Sequence, residues 1–128
     1  MNRFISLLTI VTLIVLLSGC SQDYKSQFLG DWEAKQASQQ EGSNEILGHY
    51  NYLNVSSSNI ILSTFHNEVE VDSGKTIKVF DNSDKNLTYE WKSKDQIIVD
   101  NKLYEIEVKK KELVIKNNAI EIHYLKEK

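Results

Sequence analysis

The sequence predicts an all-β domain, an antiparallel meander forming a small barrel or a strongly bent sheet, preceded by a cleaved signal peptide and one short helix. Three observations predict it. From Ile46 onward, short runs rich in Ile, Val, Tyr and Phe recur between turn-forming residues, the signature of serial short strands. Several runs alternate with a period of two. Leu87, Tyr89 and Trp91 oppose Thr88 and Glu90, Tyr104, Ile106 and Val108 oppose Glu105 and Glu107, and Ile120, Ile122 and Tyr124 repeat the pattern. One face is therefore buried and one wet, as in antiparallel sheets. Finally, the connections are short and hairpin-like. Asp100-Asn101, Asn117-Asn118 and Ser73-Gly74 tolerate the positive φ that tight turns need. A meander of local hairpins closes best as a barrel, which also removes exposed edges.

Taken in chain order, Met1-Asn2-Arg3 is a short positive start, and in residues 4–17 only Ser6, Thr9 and Thr12 interrupt the apolar side chains. That is the form of an export signal, shorter than the roughly 20 apolar residues of a spanning helix. Leu17-Ser18-Gly19-Cys20 follows, and it resembles the lipobox of bacterial lipoproteins. The resemblance implies cleavage before Cys20, diacylglycerol on its thiol, and a mature protein tethered to the extracytoplasmic face of the cell membrane. Leu17, Ser18 and Gly19 would be the signal-peptidase recognition residues. Two lipid chains hold stably, because each buried methylene contributes about 0.8 kcal/mol. The expected organisation is a signal peptide at 1–19, a lipidated N-terminus and short stalk at 20–24, and a small β domain at 25–128. Cys20 is the only cysteine, so the mature domain has no disulfide or thiol nucleophile.

Within the domain, 25–30 reads as one helical turn and 31–35 as a first strand. The segment 36–45, Gln-Ala-Ser-Gln-Gln-Glu-Gly-Ser-Asn-Glu, has almost nothing to bury and reads as a mobile loop. Further strands are expected near 46–55, 59–65, 68–71, 76–80, 87–92, 96–99, 102–108, 112–116 and 119–125. Lys109, Lys110 and Lys111 form a charged turn. Lysines near an anionic membrane surface contribute about 1 kcal/mol each, and the sequence does not choose between that role and simple solvation.

Gly30-Asp31-Trp32 opens the first strand and is similar to the Gly-x-Trp signature of lipocalins. The resemblance implies a small barrel whose Trp packs across the closed end while the other end receives a small apolar molecule. Lipocalins commonly cover that Trp with a late arginine, and this chain has no arginine after Arg3.

After removal of the signal, 14 lysines face 18 acidic residues, a net charge of −4. Without arginine forks and with an acidic balance, nucleic acid is excluded as a partner. Abundant Lys, Asn, Ile and Ser and the lack of Pro point to an AT-rich genome and a Gram-positive cell. The aromatic residues are numerous for so short a chain, and Trp32, Tyr50, Tyr52, Trp91 and Tyr104 are the candidate binding surface. His49, His66 and His123, with Glu68 beside His66, lack the spacing of metal ligands, so no metal or other cofactor is assigned. Recognised catalytic sets are missing as well: there is no Gly-x-Ser-x-Gly elbow, His-Glu-x-x-His or phosphate loop. The expected function is therefore non-catalytic: a lipid-anchored binding lipoprotein that captures a protein or a small apolar ligand. The alternative is an immunity lipoprotein that neutralises an exported toxin or bacteriocin at the cell surface.

Overall fold

A computed structural model describes residues 23–127. The signal segment, Leu17-Ser18-Gly19-Cys20 and the first residues of the stalk lie outside the described residues. A short helix, α1 (Asp23–Phe28), leads into ten strands: β1 (Gly30–Gln39), β2 (Tyr52–Val55), β3 (Asn59–Ser63), β4 (Phe65–Val69), β5 (Thr76–Phe80), β6 (Lys85–Ser93), β7 (Gln96–Val99), β8 (Lys102–Val108), β9 (Glu112–Lys116) and β10 (Ile120–Lys126). A 3-10 turn, Ile46–His49, precedes β2.

Eight of the strands close into an antiparallel barrel in the order β1, β10, β9, β8, β7, β6, β3, β2. The predicted meander is thus a complete ring. β4 and β5 form a separate two-stranded sheet inserted between β3 and β6, an arm on the ring. Alternation sorts the barrel side chains. Trp32, Leu53, Val55, Ile60, Leu62, Leu87, Tyr89, Ile97, Val99, Tyr104, Ile106, Leu113, Ile115, Ile122 and Tyr124 form one buried cluster, while Glu90, Glu105 and Glu107 face water.

Turn chemistry follows expectation at two places and departs from it at a third. Asp100 and Asn101 both take positive φ, 51° and 63°, to join β7 to β8, and Gly74 (φ 68°) turns the tip of the arm. At Asn117 the backbone stays at negative φ. There the Asn117 carboxamide oxygen accepts from the Ala119 and Ile120 N–H groups at 2.8 and 3.0 Å, a side chain standing in for the turn.

Four expected elements are different in the structure, one of them the strand expected at 68–71, which is instead β4 (Phe65–Val69), with Val71 in the turn of the arm. β1 runs ten residues, to Gln39, so the first four residues of the expected mobile segment at 36–45 are strand. It pairs with β10 from Gln36↔His123 to Gln39↔Ile120 after a register shift between Ala34 and Gln36. Main-chain pairing needs no apolar side chain, and those residues stay exposed. The start of the expected strand at 46–55 is the 3-10 turn, because Leu47 is pulled completely out of water. The expected run at 59–65 breaks at Thr64, where β3 leaves the ring and β4 begins; Asp81 N–H donates to the Thr64 carbonyl at 2.9 Å across this junction.

Candidate functional site

The closed end of the barrel is built on Trp32. Its indole is fully buried, and Nε1–H donates to the Phe28 carbonyl at 2.9 Å, fastening the last residue of α1 across the barrel mouth. Phe28 stacks edge-on against Tyr89 and Trp91, with ring centroids 5.4 Å apart in each case, and Tyr24 does the same to Trp91 at 4.8 Å. Lys126, the register partner of Trp32 on β10, lays its ammonium 4.9 Å from the Trp32 ring centroid. The same Nζ donates to the carbonyls of Gln27 and Leu29 at 2.8 and 2.6 Å. A lysine from the last strand therefore covers the Trp32 ring. Gly30 makes room for it: its φ is +118°, and a Cβ there would meet the Lys126 Cε at 3.2 Å.

The other end, which the lipocalin resemblance would leave open, is closed too. Leu47 in the 3-10 turn belongs to the buried cluster, with Ile46 and Tyr50 packed against it. Beneath the turn, Tyr104 sends its hydroxyl to Glu45 Oε2 at 2.9 Å, and Lys102 reaches the same oxygen at 3.4 Å. Burial pushes Glu45 up, but these hydrogen bonds and the Lys102 charge outweigh it and hold the carboxyl below its ordinary value. Burial raises Tyr104 and, more strongly, Tyr124, whose hydroxyl has no hydrogen-bond partner among the described residues. Trp32, Tyr104 and Tyr124 are the largest fully buried side chains, and they fill the lumen. An eight-stranded ring is narrow enough for its own side chains to do so. The larger surface concavities are open grooves lined mostly by polar residues, such as Gln39, Lys116 and Glu121, or Ser93, Gln96 and Glu105, and a smaller one between β9 and β10 is mostly apolar, lined by Leu113, Val114, Tyr124 and Leu125.

The five residues expected to form a binding surface are consequently dispersed. Trp32 and Tyr104 are core, Trp91 seats α1, Tyr50 lies against the core beside the 3-10 turn, and Tyr52 is covered by the arm. Period-two alternation places Tyr52 opposite Glu33 and Ser63, on the outside of the ring, and the arm folds over it. Tyr52, Phe65 and Phe80 form an aromatic trio with centroids 4.9 to 6.0 Å apart. Lys78 on β5 completes the clamp, 3.0 Å from Glu33 Oε2 and in contact with Glu127. Glu127 also accepts from the Tyr52 hydroxyl.

Hydrogen bonds from Lys78 and Tyr52 hold Glu127 below its ordinary value of 4.5. For Glu33, burial acts upward, and hydrogen bonds from Lys35 and Lys78 outweigh it, so the net shift is also down. Bonds to Glu127 and Glu33 raise Lys78. Depressed carboxylates stabilise the clamp above their ordinary value, and that contribution disappears as pH falls through their lower folded values. The raised lysine contributes below its ordinary 10.5 and is lost as pH rises through its folded value. The arm should therefore loosen first in acid, below pH 4.5, while the barrel keeps its amide protection. Amide exchange read residue by residue across 65–80 checks this; simultaneous loss of protection in arm and ring would refute it.

Beyond the clamp the arm is bare. Val71 in its turn is 98% exposed, Val69 66% and Ile77 39%, and Phe80 of the aromatic trio keeps 44%; Val69 and Ile77 stand on opposite faces of the ribbon, across from Thr76 and Glu68. Sequence reasoning missed this exposure, since a strand expected at 68–71 with alternating Glu and Val implies one buried face. The histidines remain apart in role: His66 bonds Glu68 at 2.8 Å, His49 bonds Asn44 at 2.6 Å and His123 bonds Glu121 at 3.2 Å. Among the described residues, no group of three or more His, Cys, Asp and Glu side chains is placed to hold a metal ion.

Comparison with known proteins gives one structural likeness. The crystal structure of a lipocalin-like protein from Bacteroides uniformis aligns with a TM-score of 0.48 and 12% sequence identity, over 79% of this chain and 99% of that one. No family model matches the chain, and no curated protein matches it.

Proposed function

We propose that this chain is a lipid-anchored, extracytoplasmic binding lipoprotein that captures a protein without transforming it. The observation that carries the choice of a protein over a small apolar molecule is the filled lumen. Trp32, Tyr104 and Tyr124 occupy it, α1 and Leu47 close its two ends, and a small ligand would have to displace packed side chains to enter. The exposed apolar residues lie instead on the arm, outside the ring, where a folded partner has access. The anchor rests on Leu17-Ser18-Gly19-Cys20, and the non-catalytic character on the lack of any convergent catalytic set in the sequence. An immunity role is the same reading with an exported toxin as the partner.

The test is affinity capture from the producing cell's membranes and culture fluid with tagged, lipidated protein, in parallel with a Val69→Ser/Val71→Ser/Ile77→Ser form. A protein retained in near-equal amount by the wild type, and reduced roughly tenfold or more in the arm variant, is the expected result. Capture of a small apolar molecule alone, or reproducible turnover of a substrate, would overturn the reading. If the captured protein is toxic to cells lacking this lipoprotein, the immunity form is the correct one.

A further inference from the structure

An up-and-down ring of eight strands sends both chain ends out at the same end of the barrel. Three turns share that end, residues 56–58, 94–95 and 109–111. They hold Lys94, Lys109, Lys110 and Lys111 against a single acid, Asp95. At the opposite end, the connections 40–51, 64–84, 100–101 and 117–119 hold Glu41, Glu45, Glu68, Glu70, Asp72, Asp81, Asp84 and Asp100, against Lys75 and Lys78 on the arm. The lysines nearest to that end, Lys85, Lys102 and Lys116, sit on strand termini, and the last two are paired with Glu45 and Glu105. A chain that is acidic overall has thus concentrated lysine in the turns of its N-terminal end, with Asp23, Asp31, Glu107, Glu112 and Glu127 and the lysines Lys25, Lys92 and Lys126 on α1 and the strand ends beside them.

Local contacts bring the lysine turn against the start of the domain. The Lys126 N–H donates to the Lys111 carbonyl at 2.9 Å, while the Lys126 ammonium holds the carbonyls of Gln27 and Leu29. One residue therefore ties the turn 109–111 to the end of α1. The helix itself begins at Asp23, three residues after Cys20, a span of about 10 Å at most. That is close to the screening length in physiological salt, about 8 Å. Lys109 pairs with Glu107 at 3.5 Å with both side chains about two-thirds exposed, a contact weak enough to exchange for another anion.

We propose that this end of the barrel rests on the anionic headgroups of the membrane that holds the Cys20 lipid, with the 109–111 turn as its contact. The inference rests on the lipid-anchor reading given above. A tether alone leaves a domain free to tumble. The lysine end is attracted to anionic lipid and the acidic end is repelled by it, so the barrel stands end-on with the acidic connections turned outward.

The ring, its two closures and the arm all lie within 23–127, so a lipid-free form starting at Ser21 is a complete folding unit for the test. Its sedimentation with phosphatidylglycerol-containing vesicles is compared with that on phosphatidylcholine alone, at low and high salt. The variants are Lys109→Gln/Lys110→Gln/Lys111→Gln and, as an equal change of net charge at the other end, Lys85→Gln/Lys102→Gln/Lys116→Gln. Expected is salt-sensitive binding to the anionic vesicles only, weakened on the order of 100-fold by the first variant, about fivefold for each lysine, and little changed by the second. Equal loss in both variants, or no preference for anionic lipid, would overturn the proposal. The intact mass of the membrane-extracted protein reports separately on Cys20: a lipidated chain whose vesicle binding ignores 109–111 removes the docking face and keeps the anchor. An unlipidated chain with intact, lysine-dependent binding removes the anchor and keeps the face.

Discussion

Trp32→Ala should lower the unfolding free energy by about 4 kcal/mol, within the range for removing a buried Trp. A domain of this size has roughly 5–15 kcal/mol in all, so the variant should be close to unfolded in mild denaturant, with a melting temperature lower by roughly 15–25 °C. The effect is large because Trp32 has three roles at once. It fills the base of the lumen with no exposed area, it holds the last carbonyl of α1 through Nε1, and it is the face on which Lys126 rests. Removing it leaves a cavity, an unanchored helix and a half-buried ammonium without its ring. Denaturant midpoints measure the total, and Trp32→Phe separates the parts: it keeps most of the packing and loses the indole bond, which should cost about 1–2 kcal/mol. If Trp32→Ala changes stability by less than 1 kcal/mol, the residue is not the keystone that its contacts describe.

Leu47→Ala should cost about 3 kcal/mol and should also change what the barrel does. Leu47 is wholly buried although it belongs to a 3-10 turn in a connection, and it closes the end that faces away from α1. Its truncation opens a space bounded by apolar side chains at the mouth of a filled lumen, and apolar cavities of this sort stay dry and admit small apolar probes. The variant should bind benzene or xenon, detected by chemical-shift changes in the Leu and Ile methyl groups of the core, and the wild type should not. A wild type that binds the probe as well as the variant would mean that the lumen is not filled, and the small-molecule reading would replace the protein partner.

Much of the ring was legible in the residues because its strands obey a local rule. β7, β8, β9 and β10 alternate with a period of two and are joined by short turns, so each strand is specified by itself and by its neighbour. Gly30 and Trp32 were legible for a similar reason, since a positive φ and a large apolar side chain at the start of a strand are local facts. Lys126 was not: its position depends on the pairing of β1 with β10, whose partners are almost a whole chain apart, and nothing local distinguishes it from the other lysines. The arm escaped for a different reason. Glu68-Val69-Glu70-Val71 has the alternation of a half-buried strand, yet period two states only that two faces differ, not that either finds a core. The upper half of β1 failed in the opposite sense, because hydrogen bonding to β10 holds a Gln- and Ser-rich segment that hydrophobic patterning cannot see. Of the aromatic candidates, Trp32 and Tyr104 are wholly buried, because size and a polar tip serve equally well in a lumen, where Tyr104 uses its hydroxyl to reach Glu45.

Closure of the ring also bears on colloidal behaviour. Among the described residues, strand backbone without a lateral neighbour is concentrated in the arm and in β1 beyond its pairing with β2. Such edges template fibril growth when they are flat and greasy. Here one reads Gln-Ala-Ser-Gln and the other sets Glu68 and Glu70 around Val69 and Lys78 beside Val79. Interspersed charge and amide groups act as gatekeepers against stacking of one molecule on the next. The arm can therefore present its valines to a foreign surface while its glutamates oppose polymerisation with its own kind.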